Sequence, residues 1–197
     1  MTPKTNLGIL LCFLEFWPMY ENNFPNKRYR HTLSFLQKHI SRSEPILDLG
    51  VENPFTEIMR SNGYQVENTK GEDLDVDFMG VARSTAQVVT SFELFEHLVA
   101  PFNVLKEIKA NKLVASIPLR LWFSPAYRSG TDPWDRHYHE FEPWQFDWLL
   151  EKAGWTIMDS AKWTNPVKKI GVRPLLRLFV NRYYIVYAER MPQDRSH

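Results

Sequence analysis

The sequence predicts an α/β domain with a doubly wound, mostly parallel sheet. Short buried strands alternate with helices from Pro45 onward, and this alternation is typical of parallel sheets with right-handed crossovers. The chain has 197 residues, of which 44% are hydrophobic and 24% charged, a composition that suits one domain with a full core. We expect a single domain over residues 1–197, with an N-terminal helical cap at 1–44 and an α/β core at 45–197.

The first predicted elements are helical. Apolar residues recur at helical spacing through Thr32–Ile40 and predict a helix there. The proline- and asparagine-rich stretch Pro18–Asn26 separates this helix from an apolar run, Leu7–Trp17. That run is too short to cross a bilayer, which takes about 20 residues. We expect it to be a helix that packs on the domain or caps the ligand cleft.

The α/β core begins with a buried strand at Pro45–Gly50. Asn53 is suited to cap a helix, Pro54 is suited to its first position, and the helix should end near Asn62-Gly63. Apolar runs and glycine or proline breaks predict the remaining elements in the same way. Strands are predicted at Tyr64–Asn68, Gln87–Ser91, Lys112–Ile117, Trp155–Trp163 and Arg182–Arg190, and helices at Phe102–Lys109 and Pro143–Ala153.

Polar segments follow three of the predicted parallel strands. Ligands of such sheets lie at the carboxyl ends of the strands, near the switch in strand order. The segments Asp48–Asn53, Asn68–Asp73 and Ser91–His97 should therefore surround one crevice. The first contains one glycine, Gly50, and lacks the three-glycine fingerprint of dinucleotide binders, so a pyrophosphate site is not expected.

Two clusters of titratable residues could carry chemistry. Glu93, Glu96 and His97 fall at i, i+3 and i+4 and could share a helical face. For Glu96 and His97 a hydrogen-bonding role between loops and a functional role both remain open. Two histidines, three carboxylates and three aromatic residues crowd Asp132–Phe141, which predicts a loop over a ligand cleft. No metal site is predicted, because the first cluster has no second histidine at helical spacing and a lone His-x-His in the second is a weak signature.

The order of these motifs resembles the class I S-adenosylmethionine-dependent methyltransferases of the small-molecule-modifying kind. Ile46–Gly50 matches the family's first strand and turn, Glu93–Leu98 its Glu-x-x-Glu-His-Leu segment, and His139–Phe141 its late His-x-Phe. Ala153-Gly154-Trp155 matches the end of the helix that follows. The resemblance covers roughly residues 42–155 and implies a seven-stranded, Rossmann-like methyltransferase fold.

Two positions depart from the family's pattern. The family's turn continues as Gly-x-Gly, whereas Glu52 stands at the second glycine position here. The family also ends its second strand with an acid that holds the ribose hydroxyls, whereas this chain has Asn68, Thr69 or Lys70 there. Glu72 or Asp73 could replace that acid if the loop shifts.

The resemblance implies methyl transfer from S-adenosylmethionine to a small-molecule acceptor. Such an in-line displacement needs alignment and exclusion of water, and an imidazole is available as a base near pH 7. The candidate cofactor-binding residues are Asp48, Gly50, Glu52, Asn68, Glu72, Asp73 and Glu93. The candidate bases are His97, His137 and His139, and the candidate walls of the acceptor pocket are Trp122, Tyr127 and Trp134.

Two other classes of function stay open. The missing glycine and acid favour a methyltransferase-like binding or assembly module without catalysis. Peripheral membrane attachment would use Leu7–Trp17 and the basic, apolar Arg173–Val180, although core packing is the preferred interpretation of both.

Charge and cysteine content narrow the partners and the compartment. A net charge of +1 argues against nucleic-acid binding, and the short basic cluster Lys27–Arg30 is interpreted as solvated surface. The single cysteine, Cys12, excludes an intrachain disulfide and favours the cytoplasm. No integral membrane segment is expected, and the sequence does not predict an oligomeric state.

Overall fold

The fold comes from a computed structural model that describes residues 26–167 and 169–190. The predicted helix Leu7–Trp17 and Cys12 lie outside these residues. The helices are α1 (Asn26–His39), α2 (Pro54–Ser61), α3 (Met79–Ala82), α4 (Pro101–Glu107), α5 (Pro143–Lys152) and α6 (Val172–Leu176), with one 3-10 turn at Phe95–His97. The strands are β1 (Ile46–Asp48), β2 (Val66–Asn68), β3 (Val88–Phe92), β4 (Lys112–Pro118), β5 (Thr156–Thr164) and β6 (Asn181–Glu189).

The strands form one mixed sheet in the order β2-β1-β3-β4-β6-β5. Neighbours among β1 to β4 are parallel, and β6 runs antiparallel to both β4 and β5. The chain leaves β1 towards β2 and then returns to β3 on the other side, so the strand order switches between β1 and β3. Ligands of this fold class gather at that switch point.

The described residues form six strands, not the seven that the resemblance implied. No described strand lies beyond β2, because residues 69–87 form turns and the short α3. This stretch is dominated by polar residues and buries only Leu74 and Val81 among its large apolar side chains. It therefore offers too little apolar surface for a further strand with two covered faces.

The sheet separates two halves of the core. Along β4, Leu113, Ala115 and Ile117 join one cluster with Trp155, whereas Val114 joins the cluster under α1 and α2. Alternate strand residues point to opposite faces, so the two clusters lie on opposite sides of the sheet. Helix α1 thus covers the face that also carries α2.

The segment Arg173–Val180 is exposed, and the interpretation of it as core is wrong. Helix α6 buries none of its residues, and within the segment Leu175, Leu178 and Phe179 are 56%, 47% and 76% exposed. Within the described ranges, no helix is long and apolar enough to cross a membrane.

Candidate functional site

A cavity of about 290 Å³ lies at the switch point between β1 and β3. Residues at the carboxyl ends of both strands line it, together with Ser116 of β4, and α1 covers it. Asp135 is the lining residue of the aromatic loop at 132–141. The lining residues are Arg28, Tyr29, Thr32, Asp48, Leu49, Asn53, Phe55, Phe92, Glu93, Ser116 and Asp135.

Asp48 is buried at the end of β1 and is held by three side chains. Its Oδ1 accepts a hydrogen bond from Thr90 (2.6 Å), and its Oδ2 accepts from Asn68 (3.1 Å) and Thr56 (3.5 Å). Burial raises the pKa of Asp48 to about 7, although these donors oppose the shift. Asp48 therefore connects the ends of β1, β2 and β3 to the start of α2 through hydrogen bonds.

The turn after β1 is joined to the end of β2. Gly50 has φ of 107°, a left-handed conformation that favours glycine, and its N–H donates to Thr69 Oγ1 (2.8 Å). Asn68 Nδ2 also donates to the carbonyl of Gly50 (3.3 Å). The Oδ1 atom of Asn68 is buried without a partner in the described structure. The predicted positions Asp48, Gly50 and Asn68 are thus brought together.

Glu93 carries a carboxylate into the cavity in a strained backbone conformation. Its φ is 56°, which is uncommon for a residue other than glycine. Its Oε1 accepts from Ser116 Oγ (2.9 Å), and its Oε2 lies 3.7 Å from Arg28 Nη1. Burial raises the pKa of Glu93, and the guanidinium of Arg28 opposes that rise. The expected helical face shared with Glu96 and His97 is wrong, because Glu93 precedes the 3-10 turn in a different conformation.

Arg28 is a site residue that sequence reasoning missed. Its basic cluster was interpreted as solvated surface, yet its side chain is only 26% exposed and its guanidinium lies above the ring of Tyr29 (5.4 Å). The spacing of Arg28 and Thr32 by one helical turn was the available signal, because both point to the cavity.

Of the seven predicted cofactor-binding residues, Asp48 and Glu93 line the cavity. Gly50 lies beside it, Asn68 borders a separate open groove of about 820 Å³ beside β2, and the other three make separate contacts. Glu52 pairs with Arg60 on the surface. Glu72 accepts from the backbone N–H of Lys70 (2.6 Å) and borders the same groove. Asp73 accepts from the N–H of Asp75 through Oδ1 (3.1 Å).

The predicted histidines approach one another at one side of the 3-10 turn. The rings of His97 and His137 meet edge to face with centroids 4.8 Å apart, and Glu96 Oε1 lies 3.7 Å from His97 Nε2. His139 stands apart, with its Nε2 3.3 Å from the carbonyl of Val99. The structure therefore unites a pair of imidazoles that are far apart in the sequence.

The predicted aromatic walls are largely exposed. Trp122 is 73%, Tyr127 45% and Trp134 70% exposed, and none of them lines the cavity. The Tyr127 hydroxyl donates to Asp135, which does line it. This loop reaches the cavity through a carboxylate instead of an indole ring.

Comparisons with known proteins identify the fold. No family model matches the sequence, and no curated protein is significantly similar to it. A Haloferax volcanii protein solved in complex with the Trm112 methyltransferase activator is 10% identical, with a TM-score of 0.59 over 90% of this chain and 96% of its own. A SAM-dependent methyltransferase from Thermotoga maritima is 14% identical, with a TM-score of 0.58 over 91% and 98%.

A third structural neighbour is a cyclase. The [4+2]-cyclase SpnF is 13% identical, with a TM-score of 0.56 over 82% of this chain and 81% of its own. These likenesses concern the path of the backbone. The chain has the fold of the S-adenosylmethionine-dependent methyltransferases.

Proposed function

We propose that the protein is a methyltransferase that transfers a methyl group from S-adenosylmethionine to a small-molecule acceptor. The observation that supports this most strongly is the pair of opposite charges in the switch-point cavity. Arg28 and Glu93 face each other there at 3.7 Å. The amino-acid end of S-adenosylmethionine carries a carboxylate and an ammonium group, so it could insert between them and satisfy both.

The turn after β1 leaves room for the rest of the cofactor. A Cβ atom placed on Gly50 would meet nothing within 4 Å, so its backbone is open to a ligand. The unpartnered Oδ1 of Asn68 lies at the strand end where the related family binds the ribose, and it is an acceptor for a hydroxyl group. We propose cofactor contacts for Gly50, Asn68 and Glu93, and a positioning role for Asp48.

The chain's own residues would orient the reactants and take up a proton. Bound S-adenosylmethionine supplies a methyl group on a sulfonium, and the reaction needs in-line alignment in a site that excludes water. Burial lowers the pKa of His137, which keeps its imidazole neutral and able to accept a proton near pH 7. The other candidate bases are His97, whose ring meets that of His137, and His139, which stands apart from the pair.

Calorimetric titration with S-adenosylmethionine and S-adenosylhomocysteine tests the proposal. We expect micromolar binding, worth about 8 kcal/mol. Arg28→Ala should weaken it at least tenfold because the cofactor's carboxylate loses its partner. Lys27→Ala is the matched control, since this exposed residue lies on the same helix and should leave affinity unchanged. An Arg28→Ala protein that binds as tightly as wild type would contradict the proposed binding mode.

A binding or assembly module without catalysis is the second candidate. The cavity groups largely satisfy one another without a ligand, and about 290 Å³ is at the lower limit of small-molecule pockets. One structural neighbour was solved with a protein partner and another is a cyclase. If neither cofactor form binds to wild type, this second function becomes the working proposal.

A further inference from the structure

We propose that Glu96, His97 and His137 bind a divalent transition-metal ion, with zinc as the best-matched member of that class. One ligand atom from each residue lies within 4.8 Å of those from the other two. Two imidazoles and one carboxylate are a donor set that zinc uses where it keeps an open coordination position. The proposal does not rest on cofactor binding, because none of these three residues is among the proposed cofactor contacts, although His97 and His137 are also candidate bases.

Glu96 supplies the strongest argument. Its side chain is 1% exposed, and its Oε2 has no hydrogen-bond partner among the described residues. Its own backbone N–H interacts with the carboxyl group. The nearest ion-pair partner of Oε1 is His97 Nε2 at 3.7 Å, which is too long for a hydrogen bond. A buried carboxylate oxygen without a partner is costly, and a bound cation would compensate it.

The backbone of Glu96 brings the second histidine to it. Its carbonyl accepts hydrogen bonds from the N–H groups of Tyr138 (2.8 Å) and His139 (3.2 Å). This clamps the loop that follows Asp135 against the 3-10 turn. His137 is thereby held beside the carboxylate from a distant part of the chain.

Both imidazoles are oriented by their other nitrogen. His97 Nδ1 lies 3.1 Å from the carbonyl of Arg136, and His137 Nδ1 lies 3.4 Å from Glu140 Oε1. In a neutral imidazole only one nitrogen carries a proton. If Nδ1 donates its proton to the facing oxygen, the lone pair of Nε2 is available to a metal ion. Metal-binding histidines are oriented by this kind of outer contact, to a carbonyl in one case and to a carboxylate in the other.

The cluster needs only a small contraction to close on an ion. Ligands about 2.1 Å from a tetrahedral zinc are about 3.4 Å from one another. A gap at the 4.8 Å bound would therefore have to shorten by about 1.4 Å. Rotation of His137 on its loop can supply this movement. Three protein ligands leave a position for water or an acceptor oxygen, and His139 then remains as the base candidate outside the cluster.

Zinc titration of the full chain, free of any affinity tag and stripped with a chelator, tests the proposal. Competition against a chromogenic chelator should show one tight site per chain. His137→Ala and Glu96→Gln should each weaken zinc binding at least tenfold, because each removes one of three ligands. His31→Ala is the control, since this exposed histidine on α1 stacks against Trp163, away from the cluster. The zinc affinity of this variant should equal that of wild type.

Cobalt provides a second readout that does not depend on activity. Co²⁺ bound by wild type should give visible absorption bands that His137→Ala lacks, whereas Mg²⁺, which prefers oxygen ligands, should not compete. Circular dichroism checks that the variants fold. If Glu96→Gln does not fold, the zinc affinity of the loop variant His137→Ala tests the proposal alone. Equal zinc affinity in wild type and His137→Ala, or no zinc binding by wild type, would overturn the proposal. Either result leaves the cofactor titration unaffected.

Discussion

Asp48 is a buried carboxyl group whose protonation is coupled to folding. Burial raises its pKa to about 7, well above the value of an unfolded chain, so the folded protein binds this proton more tightly. Its contribution to stability is therefore complete below about pH 4 and is lost as the pH rises through about 7. The loss amounts to at most about 4 kcal/mol.

The variant Asp48→Asn should remove this dependence. We expect the free energy of unfolding of the variant to rise relative to wild type by up to about 4 kcal/mol between pH 4 and pH 8. Urea unfolding at several pH values measures the free energy of unfolding of both proteins. The contributions of the other titrating groups cancel in the difference between them. Parallel pH curves for the two proteins would show that Asp48 keeps an ordinary pKa in the fold.

At single positions, the sequence predicts the residues that follow strands and misses those that meet through tertiary contacts. Asp48, Gly50 and Glu93 could be placed because the carboxyl end of a parallel strand is a defined location. Arg28 was missed, because its spacing from Thr32 indicates only a shared helical face, and its role depends on how α1 packs over the sheet. The approach of His137 to Glu96 was equally hidden, because a loop clamp joins them and no spacing along the chain encodes it.

At the scale of elements, the N-terminus of α2 depends on one side chain. Asn53 Oδ1 accepts from the N–H groups of Phe55 (2.9 Å) and Thr56 (3.3 Å), and Thr56 Oγ1 accepts from the N–H of Asn53 (3.3 Å) in return. Asn53→Ala leaves helix N–H groups without this acceptor and should reduce the free energy of unfolding by about 1 kcal/mol.

Chemical denaturation of two asparagine variants isolates this effect. Asn103→Ala removes an exposed asparagine from α4 and should change stability little. If both variants lose the same free energy, the cap is not what stabilises α2. Asn53→Ser, which keeps an acceptor oxygen, should recover most of the loss.

Whole elements with a clear local signal were predicted to within a few residues. The strand from Val88 and the helix from Pro143 lie where apolar runs and a proline placed them. The short α3 was not predicted, since its four residues carry no periodic pattern. Helix α6 shows the opposite failure, because its apolar residues suggested a core segment, yet the structure buries none of them.

At the scale of the whole molecule, Arg190 joins elements that are distant in the sequence. Its guanidinium donates to the carbonyls of Ile108 (2.6 Å), Leu105 (2.8 Å) and Ala153 (3.3 Å), and it lies 4.3 Å from the ring centroid of Trp155. Arg190→Ala removes all of these donors from α4 and α5 at once. We expect a loss of about 3 kcal/mol in the free energy of unfolding.

Lysine should not restore this stability, because a single ammonium cannot replace the planar fork of the guanidinium. Urea unfolding of Arg190→Lys should therefore give a value close to that of Arg190→Ala. Arg173→Ala, at an exposed arginine of α6, is the control and should stay within about 0.5 kcal/mol of wild type. Full stability of Arg190→Lys would show that charge alone matters at this position.

The position of β2 at the edge of the described sheet bears on solubility. An edge strand offers unpaired backbone groups to other chains and can seed aggregation. β2 spans only Val66–Asn68, shorter than the segments of about six residues that stack into fibrils. The guanidinium of Arg60 also donates to the carbonyl of Val66 (3.1 and 3.3 Å). A sheet with one strand fewer than the resemblance implied thus ends in an edge that is poorly suited to recruit a second molecule.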